Sequence, residues 1–487
     1  MRPLVASAVL FALSLGHAAA QYPGAKAPPS DVRRGWDNIT EADAKSWLGY
    51  LAGPETLGRG TGQDGYQRAA EYVAKKLKDW KIAPFGDDGT YFQNVPMWRS
   101  RVVPTSLKCT VNGQSVDLSK DLVFGSGTKL DVAGKIAVVS TAGGEVRDAA
   151  ALKDHVVFVL GTPKTPTIRQ LFGAGAKQLI FVRKGLVTGQ WAPARNEPRA
   201  DRPIGQISVE QAGFERVAKA AGLSPAMPAP TDPAQVLTGG DFTLKGDVTV
   251  ERVGVPNVVG ILEGSDPTLK AETVGIGAHL DHLGVQNGVV YAGADDDGSG
   301  STALLQVAKA FATNPVKPKR SIIFMWFAAE EMGLIGSGYY ADNPKMPHAQ
   351  MIAELQMDMV GRNSDGIQNG DPRRVDVAAE NEDTIRLVGS KKLSTELDDL
   401  IQGLNVHTQF RFKYDAEDVY TRSDHYNFAK NGIPVAFFFD GFHPEYHQPT
   451  DTIEKINFKK IVTTARLVFL TAFELARRPE RLRKNGS

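Results

Sequence analysis

Cysteine is almost absent: Cys109 is the only one in the chain. That excludes an intrachain disulfide and a cysteine-rich zinc module. Charge of one sign is missing too, because 56 Lys and Arg face 55 Asp and Glu for a net +1. A nucleic-acid binder working through bulk charge would be far more basic. The one apolar run near the start, Leu4 to Leu15, falls short of the ~20 residues a membrane span needs, and no later run is longer. There is no G-x-S-x-G elbow, no Walker phosphate loop and no D-x-D-x-D-G calcium loop. His443-Pro-Glu-Tyr-His447 spaces two histidines four apart, but its Glu stands at the wrong offset for HExxH and Pro444 opposes a helix interior. What is present is ordinary: 42% hydrophobic and 23% charged residues, at a length of 487 that allows about three units.

The ends read as processing and solvated segments. Met1-Arg2, the apolar Leu4 to Leu15 and Ala18-Ala19-Ala20 make the three-part pattern of a secretory signal peptide over 1–20. No cysteine follows it to carry a lipid, so the expectation is export, to a periplasm or the medium, without stable membrane insertion. Residues 21–40 read as an N-terminal arm and 476–487 as a basic tail. Helices are expected at 41–52 and 62–81, the second from Ala69, Ala70, Val73, Ala74 and Leu77 at helical spacing, and strands at 92–96 and 106–111.

At about residue 120 the texture changes. From there to 245, short β-rich runs (135–139, 155–160, 177–182) surround a helical stretch at 167–174, with Pro-rich punctuation. This is expected to be a small α/β module inserted into a larger discontinuous domain, 41–119 with 246–475. Its Ala174-Gly175-Ala176 turn between strands resembles a protease-associated domain. In the larger domain, strands at 274–278, 321–328, 352–357 and 434–439 alternate with helices at 300–313 and 462–475. The expected fold class is α/β, a mostly parallel central sheet with helices on both faces.

The chemistry sits at the strand ends, where ligands bind in open α/β sheets. The 274–278 strand runs into His279-Leu-Asp281-His282, and a loop then reaches Asp295-Asp296-Asp297-Gly298 before a helix. The 321–328 strand runs into Glu330-Glu331, the 352–357 strand into Asp358, and the 434–439 strand into a loop with His443, Glu445 and His447. Each piece alone has a plain reading: a surface pair, a helix cap, solvated charges. Together, so many carboxylates and imidazoles at one edge would be costly without a cation.

Five ordered motifs carry a resemblance: Gly277–Gly284 (GAHLDHLG), Gly293–Gly300 (GADDDGSG), Ala328–Ser337 (AAEEMGLIGS), Gln356–Gly361 (QMDMVG) and Tyr446–Thr452 (YHQPTDT). They resemble the co-catalytic two-zinc aminopeptidases, metallopeptidase family 28, with the zinc exopeptidase fold. The resemblance implies two Zn²⁺ ions bridged by Asp296, with His279 and Asp358 on one and Glu331 and His447 on the other. It implies Asp281 hydrogen-bonded to the far nitrogen of His279, and Glu330 off the metals, taking a proton from the attacking water and returning it to the leaving amine. Tyr420, three residues before Ser423-Asp424-His425, matches a tyrosine that stabilises the oxyanion in some members. Peptides are the implied substrates, with no nucleic acid, and oligomeric state is not readable. Some relatives bind partners without hydrolysis or cyclise N-terminal glutamine. The complete set of ligands and base here favours catalysis. Carboxypeptidase members share the metal set, and Arg362 and Arg422 lie near ligands in sequence, so that alternative stays open.

Overall fold

β-Branched and aromatic runs become the strands, and the glycine- and carboxylate-rich stretches between them become loops gathered at one edge. A computed structural model describes residues 22–141, 146, 149–161, 165–184, 194–198, 207–224, 235–286 and 288–486. The segment 1–20, expected to be a signal peptide, lies outside the described residues. The central sheet has nine strands: β1 Ala83–Pro84, β2 Phe92–Val102, β3 Val248–Leu262, β4 Thr273–His279, β5 Ser321–Phe327, β6 Met351–Met357, β7 Thr384–Val388, β8 Arg411–Lys413 and β9 Val435–Phe439. Their order is β1-β3-β5-β4-β6-β9-β7-β8, with β2 paired to β3. The middle, β5-β4-β6-β9, is parallel, and β3 and β7 join it antiparallel from either side.

Strands buried on both faces should read as unbroken apolar runs. β4, β5, β6 and β9 do, and every residue in them is buried. One face packs on helices α1 Glu41–Leu51, α2 Asp64–Asp79, α3 Gly298–Thr313 and α6 Phe458–Arg477, where Leu304, Phe311, Phe324, Phe469 and Phe473 share one core. On the other face, α4 Ile335–Asp342 and α5 His425–Ala429 bring Tyr340 and Phe428 against Phe327. No helix is long and apolar enough to cross a membrane among the described residues.

The insert has its own eight-stranded sheet, centred on parallel strands His155–Gly161, Gln178–Arg183 and Ile207–Glu210 beside Leu130–Thr141. Its start differs from the expectation of residue 120. Strand Lys108–Val111 pairs with Gln235–Gly246 in this sheet, and Cys109 and Val111 lie in the insert's core. Burial pushes the Cys109 thiol up to about 12, so it packs as a small apolar group. The link between the two bodies is the long β2–β3 ribbon, paired from Val248 with Val102 to Val258 with Phe92.

Candidate metal centre

The carboxyl ends of β4, β5, β6 and β9 converge with the N-terminus of α3, and three buried aspartates fix that convergence. Asp297 caps α3: its Oδ1 accepts from Gly300 N (2.9 Å) and Met359 N (3.1 Å), and its Oδ2 accepts from His279 N (3.1 Å). One carboxylate thereby ties β4, β6 and the helix together. Asp295 accepts from Gly361 N at 2.7 Å. Asp451 accepts from the main-chain N–H groups of Asp295 (3.0 Å) and Asp296 (3.2 Å), clamping the His447 loop to the aspartate loop. Asp296 therefore projects from a backbone held on both sides.

Around Asp296 the expected ligands come together. His279 Nε2 lies 3.3 Å from Asp296 Oδ1 and 3.5 Å from Asp358 Oδ1. His447 Nε2 lies 3.0 Å from Asp296 Oδ2 and 3.1 Å from Glu331 Oε2. Two N or O ligands about 2.0–2.2 Å from one Zn²⁺ at a tetrahedral angle sit roughly 3.3–3.6 Å apart, close to these spacings. Burial opposes charge on both imidazoles, but the carboxylates outweigh it. Asp358 and Glu330 hold His279 well above the usual range, and Asp296 and Glu331 lift His447 to about 10. Without a cation the edge thus recruits protons onto its histidines, the mark of an excess of buried negative charge. His282 Nε2 is buried with no hydrogen-bond partner among the described residues, and the close contacts of His282 Nδ1 and His447 Nε2 with carboxylate oxygens lack hydrogen-bond geometry. The donor set fits a pair of borderline divalent ions.

Two groups here escaped the sequence reading. His282 forms a second cluster with Asp296 and Glu331, its Nδ1 2.7 Å from Glu331 Oε1. It stands in the same HLDH run as His279, so its signal was visible but not assigned. Arg59, fully buried, donates to the carbonyls of Leu51 (2.6 Å), Leu280 (2.8 Å), Ala292 (2.9 Å) and Gly293 (2.8 Å). It shapes both ligand loops from more than 200 residues away, beyond any local pattern.

Two expected roles change. The far nitrogen of His279 meets the main-chain carbonyl of Asp281 at 3.0 Å, while the Asp281 carboxylate is 3.8 Å away. That carboxylate instead accepts from Thr61 Oγ1 (2.8 Å) and from the main-chain N of Glu330 (3.0 Å), so it positions Glu330. Tyr420 does not reach the cleft. Its ring packs against Gly389, His425 and Tyr426 with Lys392 over its face. The tyrosine that lines the cleft is Tyr446, stacked on His447 with ring centroids 3.9 Å apart.

That cleft, open to solvent, places Glu330 among the expected ligands His279, Asp296, Glu331 and Asp358. Its far wall is apolar, with Met359, Val419, Phe437, Phe439 and Phe442. Burial, then Asp358, Asp424 and Glu331 outweighing His279, raises the Glu330 carboxyl well above the ordinary range.

The profile of peptidase family M28 matches residues 257–472. A probable leucine aminopeptidase of Arthroderma otae is 30% identical over 230 residues, 45% of this chain and 58% of its own length. Leupeptin-inactivating enzyme 1 of Streptomyces exfoliatus is 32% identical over 188 residues, 38% of this chain and 36% of its own length. The chain thus spans well under two thirds of these two relatives. Among solved structures, an aminopeptidase from Aneurinibacillus sp. strain AM-1 aligns over 94% of this chain and 98% of its own, at TM-score 0.53 and 20% identity. A zinc aminopeptidase from Bacillus subtilis aligns over 91% and 96%, at TM-score 0.57 and 19% identity. At that identity the likeness establishes the shared fold.

Proposed function

With residues 257–472 belonging to peptidase family M28, we propose that the chain is an exported di-zinc exopeptidase, an aminopeptidase that hydrolyses the N-terminal bond of peptides. The observation that carries this reading is the spacing of buried donor atoms around Asp296, whose two oxygens lie 3.3 Å and 3.0 Å from two different imidazoles, beside an acid that lies off both sets. His279, Asp296 and Asp358 would hold one zinc, and Asp296, Glu331 and His447 the other. His282, against the second oxygen of Glu331, would fix that carboxylate's orientation. When bound, two zinc ions polarise the peptide carbonyl and acidify water.

The chain's own groups do the rest. Glu330, held through its main-chain N–H by Asp281, takes the proton of the attacking water and passes it to the departing amine. Its raised affinity for a proton suits an acid that must hold one midway through the reaction. Tyr446 presents its phenol to the cleft, where charge develops on the carbonyl oxygen. The apolar wall from Met359 to Phe442 excludes water and accommodates an apolar side chain.

A carboxypeptidase on the same residues is the second reading, favoured by one observation. Arg362 is occupied by Glu445 at 2.8 Å, but Arg422 lines the cleft. A panel of free, N-acetylated and C-amidated peptides, four residues long, decides between them. The aminopeptidase reading expects cleavage of the free and amidated forms, none of the acetylated form, and loss of all activity on chelation. Cleavage that survives acetylation and stops on amidation would overturn it.

A further inference from the structure

The wall of the cleft carries a cation, Arg422, that makes no direct ion pair among the described residues. Neighbouring arginines are committed: Arg362 to Glu445, Arg374 to Asp418, and Arg386 to Asp376 and Asp415. Arg422 is exposed and pairs with no carboxylate among the described residues. It is nevertheless held in place. Nη1 donates to Asn369 Oδ1 at 2.5 Å, Nη2 donates to the Tyr446 hydroxyl at 3.2 Å, and the guanidinium lies 5.1 Å over the Phe442 ring.

The Asn369 contact is built from the local sequence. Asn369-Gly370 is the two-residue connection of a hairpin between Gly366–Gln368 and Asp371–Asp376, and both residues have positive φ, 46° and 72°. That is the backbone such a turn asks of Asn-Gly. The Asn369 amide nitrogen donates to Asp418 Oδ2 at 2.6 Å, which leaves its oxygen facing Arg422. The hairpin tip therefore orients the guanidinium through neutral oxygens and leaves it without a direct ion pair. A guanidinium carries five N–H donors, and two are engaged here. Carboxylates are what the remaining fork matches best.

We propose that Arg422 is a carboxylate-binding subsite, so that the enzyme selects peptides presenting a carboxylate at the mouth of the cleft. This rests on the peptidase reading above. The carboxylate has two sources: the free C-terminus of a dipeptide, or an acidic side chain on the terminal residue.

The test uses the full-length, zinc-loaded enzyme and three substrates, Leu-Ala, Leu-Ala-amide and Glu-Ala-amide. The subsite predicts that one of the carboxylate-bearing substrates exceeds Leu-Ala-amide in kcat/KM by about tenfold or more. A preference for Leu-Ala identifies the C-terminal source, and one for Glu-Ala-amide the side chain. Arg422→Met should bring that ratio close to one, chiefly through KM. Arg422→Lys should keep part of it, and added salt should erode it in the wild type. Unchanged ratios in Arg422→Met would overturn the subsite while leaving the peptidase reading intact. Failure of the wild type on all three substrates would overturn the peptidase reading itself, and the subsite with it.

Discussion

Asp297 is neither an expected ligand nor the expected base, yet the geometry makes it the keystone of the site. Asp297→Ala leaves three buried main-chain donors, on His279, Gly300 and Met359, without their acceptor. An unsatisfied buried donor costs about 1–3 kcal/mol, and loss of an N-cap about 1 kcal/mol. Allowing for partial relaxation, the loss should be ~3–5 kcal/mol, a large share of the ~5–15 kcal/mol typical of a domain. Asp297→Asn keeps Oδ1 for Gly300 and Met359 and turns an amide donor toward His279 N, so it should cost ~1–3 kcal/mol. Trp36, Trp47 and Trp326 lie buried in the core of the catalytic body, so urea unfolding followed by tryptophan fluorescence reports on that body. The expected order of midpoints is wild type, then Asn, then Ala, with zinc affinity falling in the same order. An Ala variant within 1 kcal/mol of wild type would refute the keystone role.

Two further outcomes follow from the geometry. Burial alone would raise the Asp376 carboxyl, but the nearby Ser364 hydroxyl and hydrogen bonds from Arg386 and Lys413 outweigh it and hold it at about 2. A depressed carboxylate stabilises the fold above its unfolded pKa of about 3.9, and that contribution is lost as pH falls through about 2. Asp376→Asn should therefore be less stable than wild type by about 2 kcal/mol at pH 6, with the gap closing toward pH 2 in paired denaturant titrations; a gap that does not change with pH would contradict this. Tyr446→Phe should lower kcat by about tenfold or more at constant zinc content, while Tyr420→Phe leaves kcat within twofold; the reverse pattern would restore the role expected for Tyr420.

The strand ends were legible because parallel strands buried on both faces leave no doubt where apolar residues stop and chemistry begins. His279, Glu331 and Asp358 stand at or just past such stops, Asp296 and His447 stand on the loops that follow, and the structure brings all five side chains together. The remainder depended on contacts that sequence does not encode locally. Asp281 and His279 are two residues apart, and only the strand-end backbone decides that a carbonyl meets the imidazole while the carboxylate turns to Glu330. The sequence singled out Tyr420 as the oxyanion partner and gave no sign of Tyr446, and only packing of the Tyr420 ring against Gly389, with Tyr446 lining the cleft, separates the two. Strand Lys108–Val111 has the composition of either sheet, and its partner lies more than 120 residues away. Arg59 looked like any loop arginine until its carbonyl partners were in place.

In the proposed mechanism Glu330 moves the proton while the residues around Asp296 hold the metals. Glu330→Gln, measured for zinc content and for peptide hydrolysis on the same sample, tests it most directly. Two zinc ions per chain are expected in both the variant and the wild type, with kcat of the variant reduced about 10²–10⁴-fold. A variant that keeps both metals and hydrolyses at the wild-type rate would contradict it.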